Sequence, residues 1–246
     1  MTSETPIRIA MWSGPRNIST AMMRAWENRP DTVVVDEPFY AFYLARTKAD
    51  HPGRDEVIRA GETDWRKVAQ RLTSDPLPAG RRVFYQKHMT HHFLPEIDRS
   101  WLNGLTNCFL IRDPAAVIFS YMKKNHEPTI EDLGFEQQHE IFEFVRTSTG
   151  KIPPVIDART VQKDPARTLR LLCDSLGLDF SESMLSWPPG RRATDGIWAK
   201  HWYEEVERST GFAPYVAKQH DVPDRLRHVY VRCLEIYDEL RQHRLR

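Results

Sequence analysis

The sequence predicts an α/β protein with a central parallel sheet flanked by helices. Two observations carry that expectation. Short apolar, often β-branched runs alternate with amphipathic helical stretches along the chain, the pattern that builds parallel sheets through right-handed crossovers. The first apolar run also passes through a glycine turn directly into a helix, a P-loop-like strand–loop–helix start. Ligands of such sheets sit outside the carboxyl ends of the strands, so the residues at those ends are the candidates for chemistry.

Ile7, Ile9, Met11 and Trp12 read as the first strand. The chain then turns through Ser13, Gly14 and Pro15, presents Arg16, Asn17, Ser19 and Thr20, and becomes helical over 21–28. A tight turn feeding a helix N-terminus aims backbone N–H groups and the positive end of the helix dipole at one spot, which suits a phosphate or sulfate. Arg16 adds a fixed charge, and the hydroxyls of Ser19 and Thr20 add donors. The stretch is not a Walker A loop, because it lacks G-x-x-x-x-G-K-[ST] and the loop lysine. An ordinary βα turn with a solvated arginine is the competing reading.

A β-branched strand over 32–35 is closed by Asp36, Glu37 and Pro38, and 39–44 is rich in aromatics. Residues 46–80 form a polar, helix-tending excursion, the kind of segment where specificity resides. A strand over 82–86 runs into Lys87 and His88, with His91 and His92 just beyond. The strand over 106–111 ends at Arg112, and Asp113 and Pro114 are N-cap and N1 residues for a helix to 124. An amphipathic helix over 130–149, a short strand over 155–157 and a helix opened by Asp164-Pro165 and closed by Gly177 follow. Residues 180–212 are loop-rich, and a helix after Pro223 carries Leu226, Tyr230, Cys233, Tyr237 and Leu240 at helical spacing. The expectation is one α/β domain over 1–246.

A net charge of +1 implies no long-range attraction to nucleic acid or to a membrane surface. The three cysteines, Cys108, Cys173 and Cys233, form no C-x-x-C pair, which suits a reduced compartment. No apolar run approaches spanning length. These features predict a soluble, cytoplasmic protein, and they leave its oligomeric state open.

Three strand ends thus carry basic or polar chemistry: 13–16, Lys87-His88 and Arg112. Arg112, with Ser120 on the helix behind it, suits a dianion; a salt bridge to Asp113 or Asp36 is the alternative. Lys87 suits charge stabilisation and His88 proton transfer, against a capping or packing role for the histidine. His88, His91 and His92 raise a zinc reading, but no acidic or cysteine ligand lies beside them, so no metal is expected. Arg191 and Arg192, in a glycine-bounded loop, make a further phosphate clamp or a solvated loop.

Taken together these elements resemble the PAPS-dependent sulfotransferases. Ser13-Gly14-Pro15-Arg16-Asn17-Ile18-Ser19-Thr20 is similar to the family's 5′-phosphosulfate loop, with Arg16 where cytosolic members carry lysine. The strand into Lys87 and His88 resembles the one bearing the family's lysine and catalytic histidine. Arg112 and Ser120, eight residues apart, resemble the 3′-phosphate site. The run from Arg191 and Arg192 to Trp198 resembles the late R-K-G-x-x-G-x-W loop. Departures are Ile18 for a common glycine, Ala21 for the tryptophan that packs on adenine, and adjacency of Lys87 and His88 where one residue usually intervenes.

The resemblance implies PAPS as sulfuryl donor and a hydroxyl or amine of a small-molecule acceptor, without a metal. It assigns Arg16, Ser19, Thr20 and the loop N–H groups to the phosphosulfate and Lys87 to the leaving oxygen. His88 becomes the general base, with His91 or His92 as alternatives, and Arg112, Ser120, Arg191 and Arg192 take the 3′-phosphate. Competing readings are a nucleotide-dependent kinase, with Asp36 after Val33-Val34-Val35 as its only magnesium-binding candidate, and a non-catalytic nucleotide-binding protein of the same fold.

Overall fold

The structure is a computed structural model and describes residues 5–47, 49–123 and 127–246. Its frame is a five-stranded, all-parallel sheet. The chain lays down β1 (Ile7–Ser13), α1 (Ser19–Glu27), β2 (Thr32–Asp36), α2 (Tyr40–Thr47), α3 (Arg54–Ala60), α4 (Trp65–Ser74) and β3 (Val83–Met89). It continues with β4 (Thr106–Ile111), α5 (Pro114–Met122), α6 (Ile130–Leu133), α7 (Phe135–Thr149), β5 (Val155–Asp157), α8 (Ala158–Lys163) and α9 (Pro165–Ser175). The short α10 (Ala199–Trp202) and α11 (Glu204–Glu207) precede the long C-terminal α12 (Arg227–Gln242). The strand order is β2-β3-β1-β4-β5, so β1 is central and its carboxyl end lies between those of β3 and β4.

Alternation along β1 divides the core. Ile9 and Met11 face one layer, with Met22, Met23 and Trp26 of α1 and Leu169 and Leu172 of α9. Ala10 and Trp12 face the other, with Ile141 and Phe142 of α7 and Cys233, Ile236 and Leu240 of α12. Both faces of the sheet are covered, which is why its strands read as near-continuous apolar runs.

Several elements differ from the sequence expectation for identifiable reasons. The strand expected over 82–86 runs on to Met89, so Lys87 and His88 lie within it. The aromatic stretch after Pro38 is helix α2, with Tyr40, Ala41, Phe42 and Leu44 buried. The excursion over 46–80 contains α3 and α4, the latter capped by Asp64. The helix expected over 130–149 is broken at Gly134, which has φ 67° and sits where a Cβ would lie 2.5 Å from Thr90 Oγ1. Asp157 caps the unforeseen α8 by accepting from Arg159 N. Lys124, the expected end of the helix after Pro114, lies outside the described residues.

Candidate active site

A cleft of about 1080 Å³ opens at the carboxyl ends of the strands. The turn after β1 forms one end of it. Gly14 is required there by close packing, since a Cβ would meet the Leu133 carbonyl oxygen at 2.7 Å. Gln138 Nε2 donates to the Trp12 carbonyl at 3.0 Å and fixes the turn from below. Asn17 is a second pin, donating to the Leu110 carbonyl at 3.0 Å and accepting from Ile18 N at 2.8 Å. Ser13 and Gly14 form the foundation of the turn, while Pro15, Arg16, Asn17, Ser19 and Thr20 line the cleft. No side chain caps the N-terminus of α1, so its first N–H groups stay available to a ligand.

Arg16 adopts a left-handed φ of 54°. Its Nε donates to Ser120 Oγ at 3.1 Å, and its carbonyl accepts from Arg112 at 2.6 Å. The loop arginine, the strand-end arginine and the α5 serine are therefore one constellation. Neither arginine forms an ion pair among the described residues. Burial, followed by the charge of Arg16, pulls the Arg112 guanidinium below its usual range. Asp113 and Glu205 offset part of this without pairing, and two cations held together so suit an anion.

A second cluster lies deeper. Lys87 Nζ donates to Asp36 at 2.8 Å, to Glu37 at 2.5 Å and to the Tyr203 hydroxyl at 2.8 Å. Tyr203 donates in turn to Asp36 Oδ2 at 2.6 Å, and Gly196 N donates to the same oxygen at 3.2 Å. Lys87 is held firmly protonated by the two carboxylates despite its burial. Glu37 is pushed up, first by burial and then by Asp36 once its attraction to Lys87 is counted. Asp36 is thus committed to lysine and tyrosine and is not available as a magnesium ligand.

The histidines require a correction. His88 does not line the cleft. It is 1% exposed, stacked on Trp12 at 4.2 Å, with Nε2 3.2 Å from Gln86 Oε1. Neighbouring residues of a strand point to opposite faces, so Lys87 reaches the cleft and His88 enters the core. Burial, then Lys87, lowers His88 to about 3. His91 and His92 do reach the cleft, with Tyr40 stacked on His92 at 4.4 Å. The three imidazoles do not converge as ligands. His139, Glu143 and Glu239, whose ligand atoms lie within 4.8 Å of one another, are a surface group on α7 and α12, with Glu143 also held by Arg146.

The late loop also lies elsewhere. Arg192 is 3.7 Å from Glu27, and its backbone N donates to Asp195, itself paired with Arg24 at 2.7 Å. Neither Arg191 nor Arg192 lines the cleft. Trp198 stands edge-on to Tyr40 and donates to Tyr203 at 3.4 Å, behind the cleft wall. Of the aromatics after the β2 strand end, which are acceptor-pocket candidates by position, Tyr40 and Tyr43 line the cleft with Glu37, and Phe39 and Phe42 are core; Asp132, Arg159, Tyr215 and Lys218 line it with no motif to announce them. Among the described residues, no helix is long and apolar enough to cross a membrane.

A family model described as "Sulfotransferase domain" matches residues 7–240. The chain belongs to the sulfotransferase domain family. Two solved structures share its fold at 14% identity: the sulfotransferase domain of the Synechococcus PCC 7002 olefin synthase, covering 97% of both chains with a TM-score of 0.59, and a sulfotransferase from Alicyclobacillus acidocaldarius, covering 98% of both with a TM-score of 0.59. Branched-chain-amino-acid aminotransferase-like protein 1 of Arabidopsis thaliana is 36% identical over 97% of this chain and 42% of its own length. Its counterpart, protein 2, is 34% identical over 96% of this chain and 41% of its own length. The chain thus spans about two fifths of these curated relatives.

Proposed function

We propose that this sulfotransferase takes PAPS as donor and passes its sulfuryl group to a hydroxyl or amine of a small-molecule acceptor. The observation that carries this reading is the Arg16–Ser120–Arg112 constellation, two cations in no ion pair among the described residues, at one end of a family sulfotransferase cleft. The Arg16 loop, the free N–H groups of α1 and the hydroxyls of Ser19 and Thr20 hold the phosphosulfate. Arg112 and Ser120 hold the nucleotide's other phosphate.

In the transfer the S–O bond to the donor phosphate breaks as an S–O (or S–N) bond to the acceptor forms. Adenosine 3′,5′-bisphosphate leaves. As in phosphoryl transfer, the loose transition state asks mainly for positioning and charge stabilisation. Positive charge at the departing oxygen comes from Arg16 and the α1 N–H groups, whereas the three protons of Lys87 go to Asp36, Glu37 and Tyr203 and fix the charge of the cleft floor. The acceptor's proton goes to Glu37, whose raised pKa makes it a better base than a carboxylate in water. His92 Nδ1 lies 4.0 Å from Glu37 Oε2, beyond hydrogen-bond reach, so Lys87 is what holds that carboxylate. The buried, low-pKa imidazoles are weaker bases.

Thermal-shift measurement with adenosine 3′,5′-bisphosphate, AMP and magnesium-ATP tests the donor. A large response selective for the bisphosphate is expected; a larger response to magnesium-ATP refutes the reading. Glu37→Gln retains bisphosphate binding and loses transfer; retained transfer removes Glu37 as base.

A further inference from the structure

The cleft binds two phosphates in the proposed reading, yet the motif arginines expected at the second one are turned away. Glu27, the partner of Arg192, is the last residue of α1. At 1.5 Å per residue it lies about 12 Å along the helix from Ser19, where the cleft begins. Thr194 is bonded to the same glutamate, Asp195 is locked to Arg24, and Gly196 N is bonded to Asp36. Four of the five residues 192–196 are thus fastened to groups behind the cleft.

Another arginine stands where Arg191 and Arg192 are missing. In the parallel pairing of β4 with β5, Ile111 is opposite Asp157. Arg112 and Arg159 therefore leave adjacent strand ends, and both line the cleft. The Arg159 guanidinium lies 5.1 Å from the centre of the Tyr215 ring. Tyr215 is fastened in turn, its N donating to the Gln162 carbonyl and Gln162 Nε2 donating to Ala213 O, both at 3.3 Å. Among the described residues the Arg159 guanidinium makes no hydrogen bond or ion pair. Asp157, two residues before it in the chain, is already used by the Tyr237 hydroxyl at 2.7 Å and by Arg159's own N at 2.8 Å. Arg159 is exposed and shares the Tyr215 ring with Lys163, 5.4 Å from its centre, so its donors face solvent at the cleft and are open to an oxyanion.

We propose that Arg159, positioned by Tyr215, reads the donor's second phosphate beside Arg112, in place of the Arg191-Arg192 loop. This rests on the reading of the cleft as a PAPS site. Lys218, also at the cleft, supplies field rather than a fixed contact.

Calorimetric titration with adenosine 3′,5′-bisphosphate and with AMP tests the assignment, because the two differ only in the 3′-phosphate. Arg159→Ala should weaken the bisphosphate roughly tenfold to a hundredfold, the cost of a charge-assisted contact, while changing AMP little. Tyr215→Ala should produce a smaller loss of the same discrimination, and Arg159→Lys should restore part of it. The double variant Arg191→Ala/Arg192→Ala should keep the wild-type ratio. A loss confined to the double variant, an equal loss in both, or no loss in Arg159→Ala overturns the assignment. If the wild-type protein itself shows no preference for the bisphosphate, the PAPS reading fails first and this assignment falls with it.

Discussion

Replacing Lys87 by methionine isolates the buried charge cluster from the rest of the site. The side chain is one heavy atom shorter and loses its charge, so packing is nearly conserved. What remains is two adjacent carboxylates, Asp36 and Glu37, both almost wholly buried. Asp36 keeps Tyr203 and Gly196 as donors, whereas Glu37 loses its 2.5 Å partner. Removing one member of a buried pair costs about 3–5 kcal/mol. The protein has a second course, which is to protonate Glu37. Its pKa is already raised by burial with Lys87 present, and it rises further once that attraction is gone. A carboxyl whose folded pKa exceeds its unfolded value binds more protons when folded, so stability falls as pH rises through that range. Urea unfolding at pH 8 should therefore show a loss of about 3–5 kcal/mol for Lys87→Met. At pH 5 a substantial part should return, with an unchanged m-value. A loss below about 1 kcal/mol, typical of an exposed pair, or a loss independent of pH, would refute the buried-cluster argument.

Arg112→Ala should weaken binding of the bisphosphate roughly tenfold or more. The free protein's unfolding free energy should change by about 1 kcal/mol or less, because the variant loses one hydrogen bond to the Arg16 carbonyl while relieving repulsion between the two arginines; calorimetry and urea titration separate the two. His88→Ala should cost about 2–4 kcal/mol through the cavity left beside Trp12, while kcat per folded molecule survives; a collapse of kcat in fully folded protein would return His88 to the chemistry. Acid should destabilise the fold before the carboxylates titrate. Burial lowers His51 and His91 to about 4, His88 to about 3, and His92 well below its usual value. The unfolded chain takes up these protons near pH 6.5 and the native one does not. Stability should therefore fall as pH drops from about 6.5 toward 4, with Glu37 opposing as a single group of opposite sign. Unfolding midpoints that stay flat or rise over that interval would contradict this burial pattern.

What was legible in the sequence, and what was not, follows from the range of each physical cause. The sheet was legible because both its faces are covered, which forces continuous apolar runs that no other context produces in alternation with helices. The anion loop was legible because turn, charge and hydroxyls lie within eight residues of one another, 13–20. His88 was misplaced by a shorter-range detail. Ending the strand at Gln86 left the orientation of Lys87 and His88 unspecified. Extending the period-two alternation to Met89 puts Tyr85 and Lys87 on one face and Gln86 and His88 on the other, the face of Trp12. Continuing the strand into His88 is therefore what turns it away from the cleft, because two neighbouring strand residues cannot share a face. The Asp157 cap of α8 was likewise visible as an aspartate before a helix-forming run, and with it Arg159 would have stood at a strand end like Arg112. The fate of Arg191 and Arg192 was different. It is decided by Glu27, Arg24 and Asp36, which are remote in sequence and meet the loop only in the fold. A motif can therefore preserve its letters while its countercharges are rearranged around it. The useful quantity at such a motif is not how well its residues match but whether each guanidinium is left unpaired at the cleft, as Arg16, Arg112 and Arg159 are among the described residues and Arg192 is not.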